Sequence, residues 1–364
     1  MYTIPKKAIN TLDDFTLSNL ELILNKDCNM VCSYCFLYGD TNSGERFSRW
    51  DDLLEMLKNI NISDKLTIGL NSGELFTPDR LPLVMKAIRV LKRITRYKDT
   101  TIDWRLYSNG TNFEIIRDFL IATQGENRTI SVSYDGEDSY RRLKDNKPSN
   151  TLDTLKKLSE SGFANDIIIR YAITEKVYNM KETFDALYKL GYKNIEYYFI
   201  RNYNSYTIPL VVDTFRKSLT DTLNYVKDTD IDLYNLHDYY SKQDPTVICN
   251  YGNMLAVSPS GRITTCCAIY EGIYADNVEA DLLEYNRIPE IYNSFEANYI
   301  YDRSKSECVV CTNQMCKECC SYKAIGRDKY YNKRHHQQCH IRHAELAVYD
   351  SIFNWYFRRH KWTY

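Results

Sequence analysis

Twelve cysteines are spread unevenly over 364 residues: three at positions 28, 32 and 35, none from 36 to 248, and nine between 249 and 339. Dense thiols in a reducing compartment serve metal or redox chemistry more readily than disulfides, and the two groups suit two separate metal regions. The first group, Cys28-x3-Cys32-x2-Cys35, directly follows a short apolar run, Leu20–Asn25. Three thiolates on one short loop can hold three irons of a cubane and leave the fourth iron open to a chelating ligand. A zinc site is the competing reading. Zinc sites usually show a second cysteine pair or added histidines, and no fourth ligand adjoins this loop.

The second group is also ordered. Cys249 precedes Gly261-x4-Cys266, then come Cys308-x2-Cys311-x4-Cys316-x3-Cys320, and Cys339 stands last. Cys308, Cys311, Cys316 and Cys319 could form a zinc ribbon, since two CxxC pairs suit zinc. Their four-residue gap is short for a ribbon, and zinc would strand Cys249, Cys266, Cys320 and Cys339. Iron–sulfur chemistry accommodates more of the pattern. His335, His336, His340 and His343 flank Cys339 and read as solvated polar residues or as substitute or supporting ligands.

The elements that must position these groups follow a repeating rhythm. Short runs rich in β-branched or aromatic residues at Leu20–Asn25, Leu66–Asn71, Ile102–Tyr107, Thr129–Tyr134, Ile167–Ile173 and Ile195–Ile200 read as buried parallel strands. Helical patterns fall at about 48–60, 80–95, 112–122, 150–161, 178–190 and 210–227. Six βα units imply a parallel sheet with right-handed crossovers, either a partial barrel or a doubly wound sheet. Residues 1–19 form a lead-in, 20–228 the βα domain, 229–248 a connector and 249–340 a cysteine-rich domain. Within the last, Met254–Ile263 reads as a hairpin around Ser258-Pro259-Ser260-Gly261. Residues 341–364 carry a closing helix with a basic tip, Arg358-Arg359-His360-Lys361.

Several strand ends sharpen the chemistry. The cysteine spacing, Tyr34 before the last cysteine and the place after strand one resemble the radical S-adenosylmethionine (SAM) superfamily signature. Asn71-Ser72-Gly73-Glu74 resembles that family's Gly-Gly-Glu turn, with Ser72 at the first glycine. Ser108-Asn109-Gly110-Thr111 and Ser133-Tyr134-Asp135-Gly136 are similar to its Thr-Asn-Gly and Ser-Leu-Asp-Gly strand ends. The resemblance spans residues 20–200 and implies a partial (β/α)6 barrel with the site at the C-terminal mouth of its strands. It implies a [4Fe–4S] cluster on Cys28, Cys32 and Cys35, with Tyr34, Ser72, Gly73, Glu74, Asn109 and Ser133 around SAM. Arg170 on the fifth strand reads equally as a partner of the SAM carboxylate or as half of a structural ion pair.

The later cysteines resemble the SPASM extension of that superfamily, which carries two auxiliary [4Fe–4S] clusters, although the middle spacing is one residue short. The resemblance implies Cys249, Cys266 and Cys320 on one cluster and Cys308, Cys311, Cys316 and Cys339 on the other. The first of these then has an open iron or recruits Cys267 or Cys319. Cys267 stands where sulfatase-maturating relatives place a catalytic aspartate, so it could donate a hydrogen atom, ligate a cluster or be an ordinary buried thiol.

Composition bounds the partners. Hydrophobic residues make up 44% and charged residues 26%, as in a packed globular chain. With 47 Lys+Arg against 48 Asp+Glu, no whole-molecule charge favours nucleic acid. No apolar run approaches a membrane span and the first residues lack a signal-peptide core, so the expected location is the cytoplasm. The resemblance implies an enzyme that cleaves SAM to a 5′-deoxyadenosyl radical and oxidises, crosslinks or epimerises a residue of a peptide or protein, with a flavodoxin or ferredoxin as reductant. Only 19 residues precede the first strand, too few for the leading peptide-recognition domain of many such maturases. The alternatives are a tailoring enzyme for a small molecule such as an aminosugar or nucleoside, and a metal-binding scaffold without catalysis.

Overall fold

Six strands alternate with six helices in the order β1 (Thr16–Asn25), α1 (Trp50–Asn59), β2 (Asn61–Ser72), α2 (Leu81–Leu91), β3 (Thr101–Ser108), α3 (Phe113–Ala122), β4 (Arg128–Tyr134), α4 (Thr151–Glu160), β5 (Ile167–Ile173), α5 (Met180–Lys189), β6 (Asn194–Phe199) and α6 (Val212–Lys227). This computed structural model describes residues 9–32, 35, 44–136, 143–144, 147–173, 180–199, 212–236, 253–265, 279–299, 344–352 and 355. Each neighbouring pair from β1 to β6 is parallel. Strand alternation explains the layering. Leu20, Leu22 and Leu24 of β1 are fully buried in the main core, each such burial contributing roughly 1.5–3 kcal/mol. Ile23, of opposite parity, packs instead against Cys35.

The helices carry matching apolar stripes. Trp50, Leu53, Leu54 and Leu57 are buried on α1, and Phe119 of α3 meets Phe76 edge-on at 5.2 Å. Asn112 caps α3 by accepting from Ile115 N at 3.3 Å.

The sheet runs past both ends of the six-strand series. A short strand β7 (Asp232–Leu233), within the expected connector, pairs with β6. On the other side β8 (Met254–Val257) lies parallel to β1, followed by antiparallel β9 (Arg262–Thr264) and β10 (Ala280–Asp281). In the resulting ten-stranded order, β10-β9-β8-β1-β2-β3-β4-β5-β6-β7, the parallel strands β1 to β6 run in sequence without the reversal of a doubly wound sheet, and among the described residues the two edges do not pair with each other, as in a partial barrel. The hairpin read around Ser258–Gly261 is thus an extension of the barrel wall. Arg49 fastens it to α1, donating to both carboxylate oxygens of Asp281 and to Asp52 at 2.7 Å.

The closing helix, described over 344–352, is fixed by a buried polar knot. Tyr197 on β6 donates to Glu345 at 2.5 Å, and Tyr349 donates to the same carboxylate at 3.1 Å. Among the described residues no helix is long and apolar enough to cross a membrane. Tyr34, Cys249, Cys266, Cys267, Cys308, Cys311, Cys316, Cys319, Cys320 and Cys339, and most of the cysteine-rich region, lie outside the described residues.

Candidate active site

Parallel strands deliver their C-terminal ends to one rim, and the chain uses that rim three times. After β1 comes the cysteine loop. After β2 comes Gly73-Glu74, and after β3 comes Asn109-Gly110-Thr111.

The first two are zipped together by backbone. Gly73 N donates to Asn25 O at 3.3 Å and Glu74 N to Asp27 O at 2.9 Å. That approach requires glycine at 73, because a Cβ there would overlap the carbonyl of Asp27. Arg80 braces the same junction. Its guanidinium lies 3.5 Å from the Asp27 carboxylate and donates to Glu74 O at 3.4 Å.

Glu74 joins the second and third loops. Its carboxylate is buried, 2% exposed, and accepts from Phe76 N at 2.8 Å, Ser108 Oγ at 3.0 Å and Asn109 N at 2.6 Å. Asn109 in turn reaches the cysteines. Its Nδ2 donates to Asn29 Oδ1 at 2.7 Å and lies 3.8 Å from Cys28 Sγ, while Asn29 donates to Thr111 Oγ1 at 2.8 Å. Gly110 takes φ +71°, and a Cβ there would crowd Val132 and Thr151 at 2.6 and 2.8 Å.

Cys28 is buried, whereas Cys32 and Cys35 are partly exposed. Cys35 N donates to Cys32 O at 3.1 Å. Burial pushes the Cys28 thiol above its ordinary value, and the charges of Glu74 and Cys35 push further. The Met30 N–H, 3.4 Å from the sulfur, and the Asn109 amide pull the other way. A cationic centre would reverse the unfavourable part of that balance. The donor set therefore fits an iron–sulfur cluster: three thiols on one loop, the innermost already facing two N–H groups. Among the described residues no three Cys, His, Asp or Glu side chains converge on a single-ion site; thiolates on separate irons need not do so. Asn25 Oδ1, buried at the end of β1, has no hydrogen-bond partner among the described residues.

Ser133 sits on β4 opposite Arg170 in register. Arg170 lies 3.4 Å from the Glu196 carboxylate, with its guanidinium 5.2 Å from the Tyr107 ring and 4.9 Å from the Tyr198 ring. The structure thus brings Cys28, Gly73, Glu74 and Asn109 into one bonded assembly and engages Arg170 in an ion pair. Asn25, Asn29 and Arg80 were not singled out by sequence reasoning. Asn29, a polar residue between Cys28 and Met30, is the one whose position carried a signal.

No known protein family's sequence profile matches the chain. A probable GTP 3′,8-cyclase from Pyrococcus horikoshii is 26% identical over 127 residues, 35% of this chain and 38% of that protein. Native anSMEcpe with bound AdoMet superposes with a TM-score of 0.66 at 14% identity, covering 92% of this chain and 99% of that one. SuiB of Streptococcus suis bound to S-adenosylmethionine gives 0.56 at 16% identity, over 86% of this chain and 75% of that one. The chain has the α/β partial-barrel fold of the radical SAM superfamily that its strand-end motifs resemble.

Proposed function

We propose that the chain is a radical SAM enzyme that modifies a residue of a peptide or protein. The observation that carries the reading is the bonded assembly of the Cys28–Cys35 loop with Glu74 and Asn109 at the C-terminal rim of a partial barrel. Cys28, Cys32 and Cys35 would hold a [4Fe–4S] cluster, and Ser72, Gly73, Glu74, Asn109 and Ser133, with Tyr34, would surround SAM. Bound there, the cluster and SAM would supply radical chemistry able to take a hydrogen atom from the substrate. The chain's own residues hold the cysteine loop against β2 and β3 and keep Cys28 shielded from water. Arg170, already engaged by Glu196, would serve as half of a structural ion pair in the barrel wall or turn to the SAM carboxylate.

A peptide substrate is supported by solved structures of the same fold with peptides bound: anSMEcpe with the Cp18Cys peptide and SuiB with the precursor peptide SuiA. The similarity to a probable GTP 3′,8-cyclase favours a second reading, a nucleotide or other small molecule as substrate. In the first reading Cys249, Cys266 and Cys320, and Cys308, Cys311, Cys316 and Cys339, would ligate two auxiliary clusters, with Cys267 or Cys319 completing the first or Cys267 acting as a thiol donor. A flavodoxin- or ferredoxin-type protein would supply electrons.

The test is 5′-deoxyadenosine formation by anaerobically reconstituted protein given SAM and a low-potential reductant. Wild type should form it, and the triple change Cys28→Ala, Cys32→Ala, Cys35→Ala should not. No product from the wild type sinks the proposal. Stimulation by peptides rather than nucleoside triphosphates separates the two substrates.

A further inference from the structure

Within the barrel, one level below the cysteine loop, lies a carboxyl that the catalytic reading leaves unused. Glu21 stands on β1 opposite Gly69 of β2. Its side chain crosses β2 at that glycine, where a Cβ would overlap the carboxylate, and accepts a hydrogen bond from Asn71 Nδ2. Arg105 and Arg170 face it from β3 and β5, but each has an acidic partner: Asp103 at 4.0 Å and Glu196 at 3.4 Å. Among the described residues Glu21 forms no ion pair. Burial raises its carboxyl to about 7, against the opposing pull of Arg105, Arg170 and Asn71. A desolvated carboxyl held by an amide rather than by an ion pair, with a glycine making room for it, points to a role in placing that amide.

Asn71 directly precedes Ser72-Gly73-Glu74, the turn that is zipped to the cysteine loop. We propose that Glu21 is a positioning residue for this turn: acting through Asn71, it fixes the end of β2 and so sets how tightly the turn holds SAM. The proposal rests on the SAM-enzyme reading above. A carboxylate holds an amide more strongly than a neutral acceptor does, so Glu21 also makes the grip depend on pH across its own titration. Among the described residues, Arg105, Arg170 and Asn71 are the charged and polar groups that face it.

The test is the SAM dissociation constant of the cluster-loaded full chain, measured by calorimetry without reductant, with iron content and thermal melting followed in parallel. Glu21→Ala and Asn71→Ala should each weaken SAM binding about tenfold, and the double variant should be no weaker than either single one, because they share one bond. Glu21→Gln keeps an acceptor and should restore most of the affinity, while flattening the wild-type change in affinity between about pH 6 and 8. Gly69→Ala displaces the carboxyl without removing it and should match Glu21→Ala; it keeps the test readable if that variant loses its cluster. Wild-type affinity in Gly69→Ala and Asn71→Ala, or losses that simply add in the double variant, would overturn the proposal alone. Wild-type protein that binds no SAM would overturn the functional reading and this inference with it.

Discussion

Changing Glu74 to Gln should destabilise the protein even before any cofactor is bound. Oε1 of Glu74 accepts from Phe76 N and Ser108 Oγ, and Oε2 accepts from Asn109 N at 2.6 Å. A glutamine can keep its oxygen on the first pair, but its NH2 must then face the Asn109 N–H, donor against donor. A hydrogen bond to a charged group is worth about 1.5–3 kcal/mol, and a neutral one about 1. Losing the Asn109 bond and weakening the other two gives about 3–5 kcal/mol. The assay is urea unfolding of the cluster-free protein, wild type against Glu74→Gln. A clear drop in midpoint with unchanged slope supports the geometry. Superimposable curves would refute it, since a residue that served only to contact SAM would leave the cofactor-free fold untouched. The same substitution should release Asn109 and with it the amide near Cys28 Sγ, so iron retention should fall alongside stability.

Three further outcomes follow from the same structure. Gly73→Ala forces a side chain onto the Asp27 carbonyl; overpacking of this kind costs about 1–3 kcal/mol, and reconstituted iron content should drop with it. Glu21 has its carboxyl raised from 4.5 to about 7, so its ionisation destabilises the fold as pH rises through that window. Glu21→Gln should therefore be up to about 3 kcal/mol more stable than wild type above pH 8 and equal to it below about pH 4, by thermal melts across pH. Asp281, hydrogen-bonded by Arg49, is held below its usual range, so its contribution is present at neutral pH and lost in acid. Asp281→Asn should lose about 1–2 kcal/mol at pH 7, with the difference from wild type shrinking below about pH 4.

Local pattern carried much of the fold. β5 spans the expected residues, Ile167–Ile173, because its run of β-branched residues is bounded sharply by the turn before it. Where boundaries moved, the cause was non-local. β1 begins at Thr16 rather than Leu20 because Ser18 N and Asn19 N donate to Asn253 O on the incoming hairpin. β2 starts at Asn61, its first residues, Asn61 and Ile62, pairing with Thr16 and Leu17. The 32 tyrosines, a compositional oddity in the sequence, gain a partial account. Tyr192 and Tyr197 are buried with their hydroxyls on Leu155 O and Glu345, so tyrosine here fills the core while satisfying polar groups.

The site was legible as motifs but not as connections. Cys28, Glu74 and Asn109 stand out by type and position, yet their mutual bonds depend on strand ends meeting at one rim. That Arg170 lies beside Glu196 depends on β6 pairing with β5, which the sequence of β5 alone does not carry. Glu21 carried no signal, because its contact across Gly69 depends on the register of β1 against β2, which a period-two pattern leaves undefined.

The central claim is that the Cys28–Cys35 loop carries a cluster with an iron open to SAM. It is tested most directly by electron paramagnetic resonance of the dithionite-reduced protein, with and without SAM, in a variant in which every cysteine from 249 onward is changed to serine. The account predicts a reduced [4Fe–4S] signal whose g values shift on adding SAM. A signal that SAM leaves unchanged, or no cluster at all in a folded variant, would contradict it.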